Sequence, residues 1–323
     1  MKIVLLFLSG FVLSTGTATA RSVAIADVRA SLPVDAKTIA TSRRRIKDAH
    51  ISAKSSPVLS GLYADPNIAI FGPNYYIYAT TDGYEGWGGN VFYVWKSPDL
   101  VTWTRSSKPF LTLNGTSGNV PWATGNAWAP TIIEKTGKYY FYFSGQNPTY
   151  NRKTIGVAVA DSPEGPFTAQ PTAMILNNER LTTNQAIDSA AFRDPTSGIY
   201  HLFWGNGSPL YAELADNMLS LKPNSTRAIT GLTDFREGIF LNYRAGLFHL
   251  TYSIDDTRSE NYRVGYATAK SVDGPWTYRG VVLQKDAAKG ILGTGHNSIV
   301  NVLGTDNWYM AYVIVFPGLL DKR

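Results

Sequence analysis

Cysteine is absent from the 323 residues, which removes disulfides, thiolate zinc sites and cysteine nucleophiles together. The four histidines show no metal-ligand spacing of the His-Glu-x-x-His type. No segment carries a sustained 3.6-residue apolar period, so helices should be few. Long apolar runs are missing except from Ile3 to Val12, which is shorter than the roughly 20 residues a membrane helix needs. That run follows Lys2 and leads to Ala18-Thr19-Ala20, the pattern of a secretory signal peptide over residues 1–20. A secreted protein is expected, and a membrane protein is not.

Net charge is also lacking where it would matter. The formal charge is +6, but Lys2, Arg21, Arg29, Lys37, Arg43, Arg44, Arg45 and Lys47 carry all of the excess, and residues 48–323 hold 22 basic and 22 acidic side chains. A nucleic-acid partner is therefore not expected. Residues 21–55 read as a basic leader or linker, disordered, with a solvated cluster at Arg43-Arg44-Arg45. With 13% aromatic residues, residues 56–323 can bury enough apolar surface to fold as one all-β domain. Three sequons, at Asn114, Asn206 and Asn224, are compatible with a secreted glycoprotein.

What the chain does have is a repeat. An aromatic strand-like segment recurs five times, at Tyr75–Ala79, Tyr139–Phe143, Tyr200–Trp204, Phe248–Tyr252 and Trp308–Tyr312. Each follows a turn rich in glycine, asparagine or proline, and each turn follows another strand-like run, so each unit holds a hairpin. Third strands follow in four of the five units. Several strands per unit and five units with a period near 60 residues fit a five-bladed β-propeller better than a sandwich, which has no reason for a fivefold period. Only eleven residues follow Tyr312, so the fifth blade is expected to be incomplete and its edge unprotected.

In a propeller the innermost strands start near the central channel. Counting back from the aromatic anchors puts Asp65, Ala129, Asp188, Glu237 and His296 at equivalent starts. Three carboxylates and an imidazole are costly to bury without a purpose, so a catalytic role is expected for the acids. The loops joining second to third strands should open on the same face, offering Trp87, Asn147, Tyr150, Asn151, Asn206 and Arg258. With Trp128, these aromatic faces, amides and guanidinium suit the apolar faces and hydroxyl edges of sugars. His201 and His249 fall in the column of Tyr76, Tyr140 and Tyr309, a packing position rather than a ligand position.

The ordered set Tyr63-Ala64-Asp65-Pro66, Trp128-Ala129-Pro130, Ile187-Asp188, Glu237-Gly238 and Gly293-Thr294-Gly295-His296 resembles glycoside hydrolase family 43, five-bladed propeller enzymes that trim arabinose- and xylose-containing plant polysaccharides. The resemblance implies Asp65 as general base, Glu237 as general acid and Asp188 as the residue that tunes and orients the acid. It implies inversion at the anomeric carbon, with the two working carboxyls roughly 6.5 to 9.5 Å apart. Like-charge repulsion from an ionised Asp188 would raise the Glu237 pKa. His296 matches the family's central histidine, near which a calcium ion or water is often held; no cofactor is otherwise required. A secreted, monomeric exo-α-L-arabinofuranosidase acting on plant cell-wall polysaccharide or oligosaccharide is the leading expectation, with β-xylosidase or endo-arabinanase as alternatives in the family. A retaining enzyme of the invertase and levansucrase group is weaker: Phe192-Arg193-Asp194-Pro195 is similar to its motif, but Asp194 falls in a hairpin turn. A non-catalytic carbohydrate-binding propeller remains open because of the short fifth blade.

Overall fold

Runs of aromatic and β-branched residues, cut every few positions by glycine, proline or asparagine, favour short antiparallel strands over helices. The computed structural model describes residues 21–27, 57–176, 185–302 and 304–315. Within them the helical content is two 3-10 turns, Glu85–Trp87 and Ala287–Lys289. No helix among the described residues is long and apolar enough to cross a membrane.

Among the described residues, five antiparallel sheets are arranged as propeller blades, beside two small two-stranded sheets. Blade one is built from Tyr63–Phe71, Asn74–Thr81, Val94–Ser97 and Thr104–Arg105, and blade two from Trp128–Lys135, Lys138–Asn147, Arg152–Ala160 and Thr168–Ala169. Blade three comprises Ala190–Arg193, Tyr200–Trp204, Leu210–Glu213 and Arg227–Ala228; blade four comprises Phe235–Arg244, Leu247–Ile254, Arg263–Ala269 and Thr277–Leu283. All five aromatic segments fall on second strands, as the repeat predicts. Their rings fill the spaces between blades: Tyr78 and Phe141 pack together across blades one and two, and Phe192 meets Phe248 across blades three and four.

The fifth blade differs from expectation. Its inner strand Asn297–Asn301 and second strand Trp308–Val315 are joined by a third from the other end of the chain, Arg21–Asp27, which runs antiparallel with Arg21 opposite Val315 and Asp27 opposite Tyr309. The start of the expected disordered leader is thus a strand, and the edge of Trp308–Val315 is covered. The physical reason is the pleat, which sends successive residues to opposite faces. Val23 is buried with Val58, Leu59, Ile68 and Val300 at the seam with blade one, while Ala24 is buried with Ile299, Met310 and Tyr312. Among the described residues the blade has three strands where the others have four. The expected signal peptide, the leader from residue 28 to 56 with its arginine cluster, and residues 316–323 lie outside the described residues.

A polar pin holds the same seam near the axis. Ser298 Oγ accepts from the Ile68 amide at 2.8 Å and donates to the Pro66 carbonyl at 2.7 Å, both buried. The equivalent residues of blades one and two reach forward in the same way, Asn67 Oδ1 to the Ile132 amide and Thr131 Oγ1 to the Ala191 amide, each at 3.2 Å.

Because Val23 joins the seam, Val23→Asp should lower unfolding stability by about 3 kcal/mol, since it buries a carboxylate with no partner. Val23→Ala, which only removes methyl groups, should cost less. Urea denaturation checks both; wild-type midpoints for the two variants would show that the strand does not contribute to closure.

Candidate active site

The inner strands start with a shared backbone feature. Asp65, Ala129, Asp188, Gly238 and His296 all take positive φ, at 50°, 39°, 61°, 65° and 29°, a region that side-chain-bearing residues seldom occupy. Bulges accompany the turn in blades one, two and four and bend the chain toward the axis. Hydroxyls of the preceding blade hold three of the turned amides: Thr80 Oγ1 accepts from Ala129 N at 2.8 Å, Ser144 Oγ from Asp188 N at 3.3 Å, and Ser253 Oγ from His296 N at 2.9 Å. In blade three the column holds Gly205 instead, and a backbone bond from Gly207 N to Arg236 O, 2.6 Å, ties that blade to the next.

The register corrects one expected equivalence. Glu237 pairs with Ser253 as Ala64 pairs with Thr80 and Trp128 with Ser144, so the counterpart of Asp65 in blade four is Gly238, and Glu237 stands one residue earlier. Gly238 is required there: besides its φ of 65°, a Cβ would meet Ser253 Oγ at 3.0 Å and the His296 ring at 3.1 Å. The bulges on both sides of Glu237 turn its side chain to the same cavity despite the shift.

That cavity, about 250 Å³, is lined by Asp65, Asp188, Glu237 and His296 together with Trp87, Trp128 and Asn206. Glu237 and Asp188 are 7% and 6% exposed. His296 Nδ1 lies 3.1 Å from Asp65 Oδ1, and Thr80 Oγ1 donates to Asp65 Oδ2 at 2.7 Å. Burial alone would push the imidazole pKa down, but the Asp65 charge and hydrogen bond, helped by Asp188 and Glu237, hold it up at about 9. Glu237 receives Tyr262 Oη–H at Oε1, 2.8 Å, and Asn206 Nδ2–H at Oε2, 2.5 Å. Tyr262 reaches it by lying over Gly295, where any Cβ would overlap the ring.

Burial is the main cause that raises the Glu237 carboxyl; the Asp65 charge adds to it, against the Tyr262 hydrogen bond and the His296 and Arg236 charges. Asp188 is raised well above its ordinary value, by burial first and then by the Glu237 charge. The like charge that acts on Glu237 is that of Asp65, and burial comes ahead of it. Both carboxyls can hold a proton at pH values where an exposed carboxyl has lost it.

Trp87 and Trp128 both line the cavity, with Trp128 Nε1 donating to Trp87 O at 2.7 Å and Lys153 Nζ standing 5.0 Å over the Trp128 ring. Arg258 is at the rim, its side chain 55% exposed and paired with Asp256 at 2.7 Å. Asn206 lines the cavity as expected, but its Nδ2, the atom a glycan would occupy, is spent on Glu237; Asn114 and Asn224 are exposed. The blade-two loop does not contribute to the lining: Asn147 bonds Thr154 and Tyr150 points to solvent. Asp194 sits in its hairpin turn, accepting from Thr196 and Ser197. His249 is a packing residue, bonded to Tyr266 Oη at 2.6 Å. Unanticipated were Tyr262, Arg236, Asp256 and buried Asp82, all but Tyr262 lining residues; the hydroxyl column Thr80, Ser144, Ser253 was visible as a fixed step from the aromatic anchors.

For the expected calcium ion near His296, the His296 Nδ1 is engaged by Asp65 at 3.1 Å, and no group of three or more His, Cys, Asp or Glu among the described residues is arranged to hold a metal ion.

A family model described as Glycosyl hydrolases family 43 matches residues 54–320. The chain is similar to a beta-D-galactofuranosidase of Aspergillus niger, 32% identical over 271 residues that span 80% of this chain and 75% of that one. It is also similar to a xylosidase/arabinosidase of Humicola insolens, 27% identical over 311 residues spanning 79% and 89%. Among solved structures, a family-43 enzyme of Xanthomonas citri complexed with xylose superposes with a TM-score of 0.67 at 26% identity, over 82% of this chain and 90% of that one.

His296 should stay protonated through neutral pH and titrate at about 9; in Asp65→Asn, burial acts with less opposition and the midpoint should fall by more than about one unit. Raised above the ordinary 6.5, the group adds stability that is fully present below that value and is lost as pH rises through the folded midpoint. Nitrogen-detected NMR of the imidazole reads the midpoint; titration near 6.5 in the wild type would contradict the ion pair.

Proposed function

The chain belongs to glycosyl hydrolase family 43, and from that premise we propose that it is a secreted, inverting exo-glycosidase whose substrate is a terminal α-L-arabinofuranosyl unit of plant polysaccharide or oligosaccharide. The observation that carries this reading is the pairing of two differently held carboxyls within one pocket: Asp65 against His296 at 3.1 Å, and Glu237 buried with its pKa raised. An ionised Asp65 takes a proton from water as the water oxygen attacks the anomeric carbon. Glu237 gives its proton to the glycosidic oxygen as that bond breaks, and attack from the face opposite the leaving group inverts the configuration. Asp188, which feels the Glu237 charge, is placed to tune the acid. Trp87 and Trp128 offer apolar faces for the sugar ring. A volume of about 250 Å³, below the usual range for ligand sites, favours a terminal sugar over the interior of a chain. Secretion belongs to the same reading and rests on residues 1–20.

A second substrate is favoured by the 32% identity to a β-D-galactofuranosidase. β-D-Galactofuranose has the same ring configuration as α-L-arabinofuranose with one more exocyclic carbon, so one pocket can present its acid and base to either.

Hydrolysis of aryl α-L-arabinofuranoside, β-D-galactofuranoside and β-D-xyloside should show a clear preference for the furanosides, with proton NMR revealing the inverted anomer first. Glu237→Ala should lower kcat/KM about 10²- to 10⁴-fold on aglycones that need protonation, and much less on a dinitrophenyl aglycone. Near-normal activity of Glu237→Ala on all aglycones would overturn the assignment.

A further inference from the structure

The inner strand of blade four brings a second charge to the acid. Arg236 precedes Glu237, and its Nε lies 3.8 Å from Glu237 Oε2, shielded from solvent, while its Nη2 lies 3.3 Å from Asp256 Oδ2. Asp256 also takes Arg258 through Oδ1 at 2.7 Å and Oδ2 at 2.9 Å. Glu237, Arg236, Asp256 and Arg258 therefore form an alternating row along one wall of the pocket. The backbone shares in it, since Arg236 O accepts from Gly207 N at 2.6 Å beside the Asn206 that donates to Glu237.

We propose that Arg236 is a positioning residue that fixes the proton affinity of Glu237, and that Asp256 acts as its counterweight by holding the guanidinium back from a direct ion pair with the acid. This rests on reading Glu237 as the general acid. A contact of 3.8 Å is too long for a hydrogen bond but close enough for charge to act. Were the guanidinium to close on Glu237 in a bidentate pair, the carboxyl would be held ionised and could not deliver a proton. Asp256 faces away from Glu237 across Arg236 and is itself held down at about 2, chiefly by Arg258, so the counterweight keeps its charge over the working range. The other charged or titratable groups facing Glu237 are Tyr262 ahead of the third strand of blade four, His296 at the start of blade five, Asp65 in blade one and Asp188 at the start of blade three. The ion pairs of Asp256 run to Arg236 and Arg258, so it acts on the acid through Arg236.

The test uses the full chain with ¹³C-labelled glutamate, the Glu237 carboxyl signal being assigned by its loss in Glu237→Gln. Arg236→Gln should raise the Glu237 titration midpoint by about one unit, and Asp256→Asn should lower it by a similar amount. Arg236→Lys, which keeps the charge, should leave it within a few tenths of the wild type. The alkaline limb of kcat/KM on the furanosides should move in the same directions. A residue with only a structural role would lower activity without opposite shifts, so unmoved midpoints, or movement in one direction for both variants, would overturn the proposal. If the midpoints move as stated while the wild type hydrolyses none of the aryl glycosides, the electrostatic row stands and the assigned activity falls.

Discussion

Each inner strand begins with one residue forced into the left-handed region, and the site is a consequence of that turn. Such a conformation costs roughly 1–3 kcal/mol at a non-glycine position, and here four of the five positions are not glycine: Asp65, Ala129, Asp188 and His296. At Ala129, Asp188 and His296 the turn persists because its amide is tied to the blade before it, by Thr80, Ser144 and Ser253, and because the strand beyond is locked into a buried sheet. Polar groups at the turn are thereby directed at the axis from rigid strands rather than from loops, which is the arrangement that holds reacting groups in register.

Once acids are collected in this way, their charge has to be managed. Asp65, Asp188 and Glu237 meet one buried imidazole and one nearby guanidinium, so not all three can remain ionised in so little water. The imidazolium is committed to Asp65 at 3.1 Å, which leaves Asp188 and Glu237 to share what remains. Tyr262, Asn206 and Arg236 favour charge on Glu237, while burial raises both Glu237 and Asp188. Acid and base are separated by their partners, since the three carboxyls are chemically alike.

The repeat made the blades legible, because an aromatic hairpin strand is a local pattern that recurs with a period. It also led to Asp65, Asp188 and His296, whose backbone positions repeat. It led to Glu237 for a less exact reason: blade four has a two-residue hairpin turn, Arg244 pairing with Leu247, as blades one and two have, whereas blades three and five turn over six residues. Counting through turns of unequal length is uncertain by one residue, and the bulges around Glu237 conceal the slip by turning its side chain inward. Tyr262, Arg236 and Asp256 were not legible because their roles depend on contacts between a loop and a strand that no period records. The strand Arg21–Asp27 was hidden differently. Its basic surroundings marked a leader, and its partner, Trp308–Val315, is nearly the whole chain away.

That distant pairing bears on the chemistry. The ring closes between blades five and one, and the ion pair that keeps Asp65 charged, Asp65 with His296, crosses that seam. Near the axis the seam is pinned by Ser298 to Ile68 and Pro66; farther out it is filled by Val23 against Val58, Leu59 and Ile68. Tyr262 links blade four to the same place, lying on Gly295 beside His296 while holding Glu237. A shift of blade five would lengthen the Asp65–His296 pair and loosen the tyrosine on the acid together, because both contacts terminate on the segment from Gly295 to His296. The N-terminal strand, far from any reacting atom, therefore supports the geometry on which both the proposed base and the proposed acid depend.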